Sequence, residues 1–278
     1  MSVLKKDVCF QYSFNYGNET SLIAANSVVR SLIDDEIKDL YFINPELKPY
    51  NLDGKFIRLD CLLENDEMIV DIEMQLIRRK DFINRTIFYK NRMHEMQMKK
   101  GYKYDTLKNV YSIWFCDFIV FYDDYAPITE IGLRRKHNGM QYSDKENIII
   151  VELPKARDIN EDSNAIDCWC YVLNHFKPGY VDDKIDLARE KVKAIDMALK
   201  DLETMEESRL SGMGEALDEV RKFFDDRDSY FTGKEEGLIE GEANKMTEVV
   251  NTLLESMSID GVAQALKMSV EEVKKYIK

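Results

Sequence analysis

Residues 57–75, IRLDCLLENDEMIVDIEMQ, constrain this chain more than any other stretch. Two strand-like runs, KFIRLDCLLE and EMIVDIEMQ, are joined at Asn65-Asp66, which reads as a β-hairpin. Asp71, Glu73 and Gln75 recur at every second position and so share one face of their strand. Met68, Val70, Ile72 and Met74 share the other. If Glu64 and Glu67 flank a two-residue turn, Asp60 stands opposite Asp71 and one diagonal step from Glu73, within reach of one cation. A polar face of this kind is either solvated or a metal site. Asp60 favours the second reading: it lies among apolar residues in FIRLDCLL, where a carboxylate is costly without a cation or hydrogen-bond donors.

A metal site for phosphodiester hydrolysis needs hard oxygen ligands. Mg²⁺ takes one or two carboxylates, with waters and substrate phosphate completing its shell. Asp60 from one strand and Glu73 from the next supply that pair, and Gln75, beside Glu73, is placed to orient a water. The chain then turns basic. Residues 78–108 hold ten Lys/Arg against three Asp/Glu, enough to grip a phosphate backbone.

The flanking segments predict an α/β sheet with helices packed on it. Residues 18–34 have helical apolar spacing, and 79–100 read as a long basic amphipathic helix ending at Gly101. IKDLYFINPEL is a β-rich run closed by Asn44-Pro45. VYSIWFCDFIVF, 110–121, reads as a strand buried on both faces, and ENIIIVELPK, 146–155, as another, stopped by Pro154. Beyond about residue 160 the pattern is helical. Gly233, Gly237 and Gly241 fall four apart, either a close-packing stripe that offers a homodimer face or a weak, linker-like helix. The end, SIDGVAQALKMSVEEVKKYIK, has a helix-turn-helix pattern in which Ser258 caps one helix and Ser269-x-x-Glu272 opens the next. It reads DNA or is a small packing hairpin. The expected division is an α/β domain over 1–178, a helical region over 179–256 and the helix-turn-helix-like tail over 257–278.

The net charge of −13 argues against a protein that coats nucleic acid. Five cysteines without a CxxC pair and three histidines without HxxxH spacing point to reduced thiols, not to zinc or disulfides. No apolar run approaches a membrane span, and MSVLKKDVCFQYSF lacks the pattern of a signal peptide, so a cytoplasmic protein with no membrane partner is expected.

The D–x(12)–E–x–Q hairpin in RLDCLLENDEMIVDIEMQ resembles the PD-(D/E)XK nuclease superfamily. It more closely resembles the recombination-promoting nuclease (Rpn) family, also called PD-(D/E)XK family transposases. INPEL before the hairpin, RRKDFINRTIFYKNRMHEMQMKKGYKYDTLKNVYSIWFCDF after it, the glycine/glutamate helix and the tail match in order. The resemblance implies a restriction-endonuclease-like core and DNA cleavage with Mg²⁺, or Mn²⁺ in its place, in the service of recombination or mobile-element transfer. It makes Asp60 and Glu73 the metal ligands and puts Gln75 where the superfamily's general pattern has lysine. Glutamine lacks the positive charge, so Arg85 or Lys90 on the following helix are candidates to replace it. Glu19 is a candidate extra acid, or an ordinary acid in a helix's first turn. Asp71 either supports the ligands or is a solvated neighbour. The rival reading is a catalytically weak or inactive nuclease fold that binds DNA or protein.

Overall fold

A computed structural model of the chain describes residues 2, 4, 7–15, 17–47, 57–98, 101–204, 250–251, 254, 258–266 and 270–274. The chain divides into two compact units, Met1–Gly214 and Glu215–Lys278. In the first, the strands are β1 (Tyr41–Phe42), β2 (Glu46–Leu47), β3 (Ile57–Arg58), β4 (Cys61–Glu64), β5 (Met68–Gln75), β6 (Asn109–Cys116), β7 (Ile128–Gly132) and β8 (Glu146–Glu152). Its α-helices are α1 (Asp7–Asn15), α2 (Glu19–Leu32), α3 (Phe82–Gln97), α4 (Ala165–His175), α5 (Asp183–Lys191) and α6 (Lys193–Thr204).

Six strands form one mixed sheet in the order β1-β4-β5-β6-β8-β7, and β2 pairs with β3 in a separate ribbon. The centre, β5-β6-β8, is parallel, while β4 and β7 run antiparallel to their neighbours. Helices cover both faces, which is why the central strands read as nearly continuous apolar runs. Val70, Ile72, Met74, Ile113, Phe115, Ile149 and Val151 pack with residues of α1, α2 and α4. Leu62, Ile69, Val110, Trp114, Cys116, Ile148 and Ile150 pack on the opposite side with Phe82, Tyr89 and Met93 of α3. Two helix starts carry side-chain caps: Asn18 accepts from the Ser21 N–H, and Asn164 with Asp167 forms a capping box.

The hairpin register differs from the expected one. β4 and β5 pair Cys61 with Ile72 and Leu62 with Asp71, so the same register carries Asp60 to Glu73 and not to Asp71. The cause is Asn65. Its buried side-chain oxygen accepts from the N–H groups of both Glu67 and Met68, each at 2.9 Å, and its own N–H bonds the Met68 carbonyl. The turn therefore centres on Asp66-Glu67, one residue later than composition suggests. Moving the centre by one residue moves the pairing by two, which leaves every side chain on its face.

The 110–121 run is strand only as far as Cys116. The fully buried Glu152 carboxylate accepts from the Val120 and Phe121 N–H groups at 2.5 and 3.1 Å and pairs with Lys155 at 2.7 Å. These bonds draw the chain out of the sheet. α5 and α6, beyond the expected boundary at residue 178, lie within the first compact unit. Ile185, Ala188, Ile195 and Leu199 are buried in its larger core cluster, so the core itself carries the unit past 178. Sequence periodicity predicts neither α1 nor β7.

The second unit includes α7 (Ile259–Leu266) and α8 (Val270–Lys274), with Val250, Val262 and Val273 buried together. The Ser258 hydroxyl accepts from the Gly261 N–H at 3.3 Å, as expected of a cap. The glycine stripe at 233, 237 and 241, the turn at 267–268 and the Ser269 end of the second cap lie outside the described residues. Among the described residues, no helix is long and apolar enough to cross a membrane.

Candidate metal and catalytic site

The acidic face of β5 is not solvated. α3 closes over it, leaving Asp71 and Glu73 0 % and 1 % exposed. Asp60 is half-buried at the break between β3 and β4, where the end of α1 holds the backbone. Asn15 donates to the Asp60 carbonyl at 2.6 Å, and the Cys61 thiol donates to the Phe14 carbonyl at 3.1 Å.

Asp60 and Glu73 interlock across the hairpin. The Asp60 N–H donates to Glu73 Oε1 at 2.9 Å, and the Met74 N–H donates to Asp60 Oδ2 at 3.1 Å. Each carboxylate is thus fixed by the backbone of the opposite strand. Behind them, Ser112 Oγ donates to Asp71 Oδ2 at 3.4 Å and accepts from the Trp114 indole N–H at 2.7 Å. Asp71 Oδ1 is buried and has no hydrogen-bond partner.

Arg85, in the first turns of α3, is the cation facing this group. Its guanidinium donates to Gln75 Oε1 at 2.8 Å and stands 3.5 Å from Glu73 Oε2. It lies over the rings of Tyr89 and Trp114, 4.8 and 5.4 Å from their centroids. The Gln75 amide N–H₂ donates to the Ile77 carbonyl at 3.1 Å, so both ends of the amide are engaged.

The electrostatics follow from this crowding. Burial first, and then the charge of Asp60, push the Asp71 carboxyl well above its ordinary range. The same two causes, with Asp71 added, push Glu73 up, and Arg85 opposes the shift. Burial raises the Tyr89 phenol to about 12. Three carboxylates face one guanidinium, and one oxygen among them lacks a donor. All the donor atoms are hard oxygens, so the residues fit a divalent Mg²⁺ or Mn²⁺ ion better than a soft metal. Among the described residues no group of three or more His, Cys, Asp or Glu side chains stands as a ready cage. Two carboxylates, waters and a phosphate oxygen remain a sufficient Mg²⁺ shell.

The structure brings Asp60, Asp71, Glu73, Gln75 and Arg85 together. It takes Lys90 elsewhere: this residue pairs with Glu146 at the start of β8. Glu19 is exposed at the start of α2 and lines a cavity with Leu22, Ile23, Arg30 and Asp39, none of them a hairpin residue. Among the described residues the expected basic face of α3 is also absent. Arg85, Lys90 and Arg92 keep side-chain exposures of 26, 10 and 13 %, while Ile83, Ile87 and Phe88 are exposed on that helix. Cations nearer the surface precede it, where Arg78, Arg79 and Lys80 line a cavity of about 390 Å³ with Phe82 and Phe121 just past Gln75. Sequence reading misses Ser112, Trp114 and Asn15. Ser112 alone leaves a trace, as a small hydroxyl residue inside an apolar run.

No curated protein and no solved structure matches the chain. A family model does, over residues 4–230, a span that contains the whole sheet, the interlocked acids and α3. With its mixed sheet between helical layers and its acidic hairpin of β4 and β5, the chain belongs to the PD-(D/E)XK nuclease family transposases.

Proposed function

We propose that this chain is a divalent-metal-dependent DNA endonuclease that hydrolyses phosphodiester bonds and promotes recombination or mobile-element transfer through the breaks it makes. The observation that carries this reading is the interlock of Asp60 and Glu73, two carboxylates held across a hairpin beside a buried acid with an orphan oxygen. Family membership supports the reaction class.

Asp60 and Glu73 would hold the ion. When bound, Mg²⁺ supplies charge to the phosphodiester oxygens and acidifies a water. The chain's own residues do the rest. The backbone N–H groups of Asp60 and Met74 keep the two carboxylates aimed, so little reorganisation is needed as charge develops. Arg85 places a permanent positive charge on Gln75, at the position where the superfamily pattern has lysine. Gln75 orients the attacking water, and Arg85 offsets negative charge on the phosphate. Arg78, Arg79 and Lys80 hold the DNA backbone at the cavity just past Gln75. α3 shields the acids from bulk water, which strengthens each of these interactions.

The test is nicking of supercoiled plasmid with Mg²⁺, Mn²⁺ or EDTA, comparing the wild-type protein with Asp60→Ala. Metal-dependent nicking that is lost in the variant is expected. A folded wild-type protein that binds Mg²⁺ and does not cut with either metal would instead support a binding module with an inactive face. One bond already taken at each end of the Gln75 amide, leaving a single N–H and a single lone pair for a water, favours that second reading.

A further inference from the structure

A second basic element stands at the edge of the sheet, away from the acids. β7 is the terminal strand, and the chain continues past Gly132 as a hairpin arm. Tyr142 donates its N–H to the Leu133 carbonyl at 2.9 Å, and Arg134 bridges to Gln141. The N–H groups of Arg135 and Gly139 donate to the carbonyls of Met140 and Arg135, both at 2.8 Å. Gly139 has φ +69°, a conformation that favours glycine at this turn. Residues 130–142 are exposed throughout, so hairpin bonds and not burial hold the arm's shape.

The tip reads Arg134-Arg135-Lys136-His137. Among the described residues none of these four makes an ion pair. The arginines bond only within the arm, Arg134 to the Gly139 carbonyl at 3.4 Å and Arg135 to Met140 Sδ at 2.8 Å, which leaves their charge uncompensated. The chain has 52 acidic residues, and its little-exposed cations Lys90, Lys108 and Lys155 are each paired with one of them. Arg134, Arg135 and Lys136 are adjacent on an exposed arm, which makes a local positive patch in an acidic chain. Self-repulsion is tolerated there if the arm meets a polyanion.

The strand directions say where that polyanion would be met. β7 runs against β8, pairing Ile128 with Val151 and Gly132 with Asn147. The arm therefore leaves from the end where the parallel strands begin, whereas Gln75 and Arg78–Lys80 lie where they finish. By strand rise and spacing the tip stands roughly 25 Å from Glu73. That is about seven base pairs of duplex, at one phosphate pair per ~3.4 Å.

We propose that the 133–142 arm is a second DNA site, contacting the duplex backbone well away from the bond that is cut. The proposal rests on DNA being the substrate. It gives the enzyme a long duplex footprint, with affinity supplied at the arm and chemistry at the hairpin.

The test uses Asp60→Ala protein, which needs no cleavage, and fluorescence anisotropy of a 30-base-pair duplex across a salt series. Adding Arg134→Ala, Arg135→Ala and Lys136→Ala together should weaken binding about tenfold or more and flatten the log–log salt slope by roughly two to three. Arg134→Lys with Arg135→Lys keeps the charge and should keep the affinity. With Asp60 restored, the triple alanine variant should raise the half-saturating DNA concentration and leave the single-turnover rate at saturation unchanged. Equal affinity and slope in parent and triple variant would overturn the arm and spare the hairpin site. A parent that binds no duplex would overturn the DNA reading and the arm with it. Binding to anionic phospholipid vesicles lost in the triple variant, without loss on DNA, would also overturn the proposal and reassign the arm to a membrane surface.

Discussion

Arg85 bonds the Gln75 amide oxygen at 2.8 Å and stands 3.5 Å from the Glu73 carboxylate, so one guanidinium touches both residues of the E-x-Q pair. A glutamine cannot carry charge, but it can hold a cation supplied from a helix that folds over the strand. Under the proposed function, a glutamine where the superfamily pattern has lysine therefore still leaves a positive charge at the site.

This predicts a specific pattern of activity. Arg85→Ala should lower metal-dependent cleavage by about 10²-fold, the size expected when one preorganised donor is removed. Arg85→Lys should recover only part of the rate, because an ammonium cannot bridge Gln75 and Glu73 while lying flat on Tyr89 and Trp114. Gln75→Lys in the Arg85→Ala background should recover more than Gln75→Lys alone, which crowds two cations together. Single-turnover plasmid cleavage measures all four. Full activity in Arg85→Ala would remove the residue from the chemistry.

The buried acids predict how stability varies with pH. Asp71 and Glu73 are raised in the folded chain above their ordinary 3.8 and 4.5, by burial and by Asp60. The folded state therefore holds protons that the unfolded state releases. Their stabilising contribution is complete below about pH 4 and is lost as pH rises through the elevated folded values. Asp71→Asn removes one of these groups, so in EDTA its Tm should fall less than the wild-type Tm between pH 5 and 8. Mg²⁺ should raise the wild-type Tm more at pH 8 than at pH 5, since only deprotonated carboxylates bind it well. Parallel melting profiles of wild type and Asp71→Asn would contradict the assigned source of the shift.

Much of this arrangement is legible in the sequence because periodicity reports faces. The alternation from Met68 to Gln75 is enough to put Asp71, Glu73 and Gln75 on one side of a strand, and α2 and α3 fall within the helices expected from spacing. Direction within a helix is not legible in the same way. Counting cations over 78–108 suggests a basic surface, yet Arg85, Lys90 and Arg92 turn inward or pair, and the cations that line a cavity just past Gln75 sit in the loop before α3. The burial of the acids is hidden for the same reason, since which helix covers which face is a tertiary choice. α1 carries a weak apolar pattern and β7 only five residues, too short to show a period. Composition misplaces the turn by one residue because Asn65-Asp66 is a good turn pair. What decides it is the Asn65 side chain.

That side chain carries the last prediction. Asn65 accepts two backbone N–H groups at 2.9 Å and donates to the Lys38 carbonyl at 3.2 Å from a buried position. Asn65→Ala leaves those groups without partners and should cost about 1–3 kcal/mol in urea unfolding. Asn65→Asp keeps the acceptor and loses only the donor, so it should cost less. The consequence extends to the site, because this turn sets the register that puts Asp60 across from Glu73 and not from Asp71. Asn65→Ala should therefore weaken Mg²⁺ binding, measured by calorimetry on folded protein at low temperature, while Asn65→Asp keeps it. Equal Mg²⁺ affinity in both variants, with the expected loss of stability in Asn65→Ala, would show that the strands hold their register without the turn.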